Sequence, residues 1–106
     1  MKYLLLIATD EAEVSSVPGC GDWAAEMTAR GVLRDVVGLR LVSVATTVRA
    51  RGAEVLLSDG PFAETKDQIG GFAIVECADL DEAIEVAARH PAAALGAIEI
   101  RPLAQQ

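Results

Sequence analysis

Residues 2–8 read Lys-Tyr-Leu-Leu-Leu-Ile-Ala (KYLLLIA), an apolar run with no polar alternation. Read as a β-strand, it sends Tyr3, Leu5 and Ile7 one way and Leu4, Leu6 and Ala8 the other. A strand apolar on both faces has to be covered on both faces. The helices of a small domain can supply one cover. A partner subunit is the simplest supply of the second.

The chain outward from this strand reads as a short series of elements. Residues 9–21 hold Asp, Glu, Ser, Pro and Gly and read as a loop. Asp22 can cap a helix from Trp23 to about Arg30, with Gly31 as its stop. Trp23 and Met27 lie one turn apart and share a face. Residues 32–39 (VLRDVVGL) are β-prone but interrupted by Arg34-Asp35 and Gly38. Thr46–Ala50 and Ala53–Ser58 read as two strands joined by a two-residue hairpin, Arg51-Gly52. Gly70–Cys77 is a further strand. Asp79 and Glu82 form a capping-box pattern, and Leu80, Ala83, Ile84, Ala87 and Ala88 follow at helical spacing until Pro91. Residues 96–101 (GAIEIR) alternate, with Ile98 and Ile100 on one face and Glu99 and Arg101 on the other. The order predicts one α+β domain over residues 1–106. It is ferredoxin-like, with one mainly antiparallel sheet and helices on one face.

Composition narrows the function. Hydrophobic residues make up 52 % of the 106 and aromatic residues only 4 %, so the core is built from Ala, Val, Leu and Ile. The net charge of −7, with no Lys/Arg cluster, argues against a nucleic-acid partner. The apolar run after Met1-Lys2 is too short for a signal-peptide core or a bilayer span, so neither export nor a membrane partner is expected. Cys20 and Cys77 lack metal-ligand spacing and read as reduced thiols of a cytoplasmic protein. No zinc, P-loop, dinucleotide or Ser–His–Asp pattern appears, so neither a cofactor nor a metal is expected.

The densest stretch of polar chemistry is residues 58–67, SDGPFAETKD. Asp59-Gly60-Pro61 is turn vocabulary, and Phe62 puts a ring beside the turn. The run DGPFAETKDQIGGF, with ATTVRARGAEVLL before it and DEAIEVAARHPAA and GAIEIRP after it, resembles the DGPF-domain subgroup of the YCII-related proteins. The resemblance starts at KYLLLI and covers nearly the whole chain. It implies a ferredoxin-like fold that dimerises into an α+β barrel. Two functional readings stand beside it, the first from the motif and the polar residues of the open sheet face, the second from the resemblance. One is a dimer cleft that binds a small polar or anionic organic molecule, with acid–base chemistry. The other is a regulatory protein linked to an extracytoplasmic-function sigma factor. The histidine that the family carries on its first helix has no counterpart in residues 22–30, so the family's His–Asp pair does not carry over. The connection between first strand and first helix is also shorter than in the DGPF subgroup.

The candidate residues follow. Asp59 is the catalytic candidate, with an Asx-turn role as its rival. Glu64 and Lys66 are binding candidates or a surface ion pair. Arg101 can anchor a carboxylate or phosphate, or pair with Glu99. Arg34 and Asp35 carry the same two readings. Phe62 is a binding candidate beside the turn, and Trp23 either closes a pocket or packs in the core. His90 reads as a helix C-terminal residue that favours the dipole there.

Overall fold

A computed structural model describes residues 1–12 and 21–106. The strands are β1 (Lys2–Asp10), β2 (Leu33–Gly38), β3 (Thr46–Arg51), β4 (Glu54–Asp59), β5 (Asp67–Glu76) and β6 (Ala97–Pro102). The helices are α1 (Gly21–Ala29), α2 (Leu80–Ala88) and α3 (Ala92–Leu95). A 3-10 turn spans Val42–Val44.

Four strands make an antiparallel sheet in the order β2-β5-β1-β6. That order and the helices against one face match a ferredoxin-like fold. The apolar opening strand is central, between β5 and β6; its Tyr3–Leu5 face is covered by the helices and its Leu4–Leu6 face is not. Tyr3 stands opposite Val75 and Leu5 opposite Ala73, and all four are buried. α1 adds Trp23 and Met27 to this core, and α2 adds Ala83, Val86 and Ala87. Each of Leu5, Met27, Val75 and Val86 is fully buried and contributes about 1.5–3 kcal/mol. The register puts Leu4, Leu6, Phe72, Ile74, Glu99 and Arg101 on the opposite, helix-free face.

Several expectations change: β1 runs on to Asp10, and β5 spans Asp67–Glu76 rather than Gly70–Cys77. β3 and β4 do not join the main sheet but form a separate two-stranded ribbon. Gly38 ends β2, and the 3-10 turn carries the chain away from the β2 edge. The hairpin loop is Gly52-Ala53, one residue later than expected, because Arg51 pairs with Glu54. Gly52 takes φ +61 in the first loop position, where a type II′ turn places its glycine. Asp22 lies inside the first turn of α1 rather than before it. α2 is rotated from the expected face: Val86 points inward, while Leu80 and Ile84 are half exposed. Small Ala83 and Ala87 let the helix backbone sit close to the sheet, and the inward stripe then runs through Val86 to His90. The capping box is present, with the Glu82 N–H donating to Asp79 Oδ1 at 2.9 Å. The Glu82 carboxylate reaches one residue further back than usual and accepts from the Ala78 N–H at 2.8 Å.

Candidate functional site

The SDGPFAETKD segment leaves the ribbon and returns the chain to the sheet. Its turn is held by the backbone. The Gly60 N–H donates to the Ala45 carbonyl at 2.8 Å, and the Thr47 hydroxyl donates to the Gly60 carbonyl at 2.8 Å. Gly60 takes φ +93, a conformation that a side chain resists. Beyond the turn, the Thr65 hydroxyl donates to the Asp67 carbonyl at 2.6 Å, and the Gln68 amide donates to the Thr65 carbonyl at 2.8 Å. Thr47, Thr65 and Gln68 thus shape the motif, although none drew notice in the sequence. Their roles depend on which backbone carbonyls the fold brings near them.

These contacts leave a cleft of about 590 Å³ between the motif and the helix-free face of the sheet. Ala8 and Ile69 form its floor. Leu41, Val42 and Val44 form one wall, and Pro61, Phe62 and Ala63 form the other. The polar groups are Arg40, Thr65, Asp67, Gln68 and Glu99. A second, more polar recess of about 350 Å³ adjoins it, lined by Asp10, Glu11, Glu64 and Lys66 among others. Glu11 fixes the shared wall, its carboxylate accepting from the Val42 N–H at 2.9 Å.

The expected site residues divide. Phe62 lines the cleft and is 82 % exposed, so its ring is free to meet a ligand or a second chain. Glu64 and Lys66 border the smaller recess and form no ion pair with each other. Asp59 is exposed at the end of β4 and lines neither recess. Among the described residues its carboxylate has no hydrogen-bond partner, so the Asx-turn role is not what holds this loop. Arg101 lines neither recess and pairs with Glu99 at 3.1 Å. Arg34 donates to the Gly31 carbonyl at 2.8 Å, and Asp35 is exposed opposite Ile74. Glu99 and Asp67 are therefore the carboxylates that the fold brings to the cleft.

Trp23 belongs to the core. Its Nε1–H donates to the Val86 carbonyl at 2.9 Å, and its ring meets His90 edge-on at 4.9 Å. His90 differs from the expected dipole-facing cation. It is 3 % exposed, and burial pulls its pKa below the ordinary histidine value. Its Nδ1 accepts from the Ala92 N–H at 3.0 Å. Cys77 is a free, buried thiol whose pKa burial pushes up. Cys20 lies outside the described residues. Among the described residues, no cluster of His, Cys, Asp and Glu could hold a metal ion, and no helix is long and apolar enough to cross a membrane.

Comparison with known proteins places the chain. A family model for the YCII-related domain matches residues 1–105. An uncharacterised protein of Rhizobium meliloti (strain 1021) is 36 % identical over 122 residues, covering 98 % of this chain and 93 % of the relative. The aligned length exceeds that of the chain, so the relative carries residues with no counterpart here. The match over nearly the full length, on a ferredoxin-like α+β sheet, means that this chain belongs to the YCII-related domain family.

Proposed function

We propose that this chain acts as a homodimer of the DGPF type that binds a small organic molecule in the cleft beside Pro61 and Phe62. The observation that carries this reading is the cleft itself. It is concave, of ligand size and mainly apolar, with a few converging polar groups. Arg40 supplies the cation and Thr65 and Gln68 the neutral hydrogen-bonding groups. This suits a molecule with an apolar body and a polar or anionic end. The homodimer is supported by the helix-free sheet face, where Leu4, Leu6, Phe72 and Ile74 remain only half buried in one chain. Proton transfer in the cleft would run through Asp67 or Glu99. Asp59 would join only under cover from a second chain, since desolvation is what suits a carboxylate to that work.

The test is an amide-shift titration with a set of small aryl and alkyl carboxylic acids. Saturable shifts are expected to concentrate in residues 39–45 and 61–69. An Arg40→Ala variant should weaken the best acid by about tenfold, the loss of one charge-assisted contact. Shifts that never saturate, or that gather elsewhere, would defeat the reading. A sigma factor co-purifying with the chain, alongside such a failure, would favour the regulatory alternative.

A further inference from the structure

The β3–β4 ribbon has two unlike faces. The register places Val48 beside Leu57 and Ala50 beside Val55 on one of them, with Thr46 beside Asp59 at its base. Val48, Val55 and Leu57 are 62 %, 67 % and 68 % exposed. The other face carries Arg49, Arg51, Glu54 and Ser58, with Leu56 among them. An isolated two-stranded hairpin is marginally stable in water, and an exposed apolar ribbon is an association hazard. Yet residues 46–59 keep a full antiparallel ladder. Such a ladder calls for a cover on its apolar face.

The shape of the molecule indicates what covers it. The chain exposes 6910 Å², against about 5,700 Å² for a compact monomer of its mass. Its radius of gyration is 15.5 Å, against about 13 Å for a compact domain of this length. The surplus surface exceeds the roughly 800 Å² that each partner gives up in a standard protein interface. The ribbon itself is charge-balanced, Arg49 and Arg51 against Glu54 and Asp59 in a chain of net charge −7, so no net charge opposes burial of its apolar face.

We infer that the β3–β4 ribbon is an arm that docks by its Val48–Val55–Leu57 face on the helix-free sheet face of a second copy. Leu6, Phe72 and Ile74 of that copy receive it. The root of the arm, Leu39–Ala45 and Pro61–Thr65, forms the cleft walls, so seating the arm also fixes the shape of the cleft. The inference rests on the homodimer reading above and adds which element makes the contact.

Sedimentation of the wild-type chain, V48D/L57D and the opposite-face control S58D tests it. The wild type and S58D are expected to be dimers at micromolar concentration. V48D/L57D should dimerise at least tenfold more weakly, with an unchanged circular-dichroism spectrum. Equal dimerisation by V48D/L57D would overturn the arm and leave the homodimer standing. A monomeric wild type at 100 μM would overturn both. Should V48D/L57D fail to fold, the wild type decides the matter. In a mixture of labelled and unlabelled chains, isotope-filtered NOEs are expected from the Val48, Val55 and Leu57 methyls to the other chain. A wild-type dimer without them would overturn the arm.

Discussion

At His90 the fold sets the charge of a side chain. The Nδ1 lone pair is committed to the Ala92 N–H, and Nε2 has no partner among the described residues. Protonation would cost the Ala92 contact and bury a cation against Trp23. The sign of the linkage follows from the lowered pKa. At high pH both folded and unfolded chains carry neutral His90, and nothing is lost. Below the ordinary value of about 6.5 the unfolded chain takes up the proton first, so stability falls until the folded pKa is passed. Thermal melts between pH 7.5 and 5.5 should show this slope in the wild type and a smaller one in His90→Asn. Equal slopes would show that His90 does not contribute. Neither its burial nor its neutral state was readable from the sequence, because a histidine before a proline looks like any helix end.

At the scale of the element, α2 shows what local patterning settles. Its start is written in Asp79 and Glu82, and both make their hydrogen bonds. Removing the cap with Asp79→Ala should cost about 1 kcal/mol, or a melting temperature about 5 °C lower. Asp79→Asn should retain most of it. A melt of Asp79→Ala unchanged within 1 °C would mean that the cap is dispensable. The inward face of α2 was less legible, because apolar residues occur on more than one side of the helix. Packing distance to the sheet selected Ala83, Val86 and Ala87, and Leu80 and Ile84 were left half exposed. Arg30–Glu85 and Arg89–Glu26 then tie α1 to α2 along their exposed sides. Pairs of this kind contribute little in water, so the buried contacts decide how the helices sit.

For the whole molecule, stability should be graded from the centre of the sheet to the ribbon. β1 lies between two strands and beneath the helices, whereas the ribbon pairs only with itself. Amide exchange in β1 and β5 is expected to require global unfolding. Exchange in β3 and β4 should be faster, and faster still on dilution if a second copy covers the ribbon. Protection of β3–β4 equal to that of β1 in a dilute monomer would contradict this gradient.

The sequence by itself determined the α+β class, the two-sided apolar character of KYLLLIA, the sharing of a face by Trp23 and Met27, and the alternation of Ile98 and Ile100 with Glu99 and Arg101. These are local matters: side chains repeat with period two in strands and three to four in helices, whatever lies around them. It also marked SDGPFAETKD as unusual. Only the tertiary structure decided how that segment is arranged. It set the ribbon apart from the sheet, shaped the turn through Gly60, Thr47 and Gln68, and gave the cleft Asp67 and Glu99 in place of Asp59 and Arg101. A cleft depends on which distant segments meet, and Ala8, Arg40, Pro61 and Glu99 come from four separate parts of the chain. No periodicity within one element records such a meeting, which is why the fold was legible and the site was not.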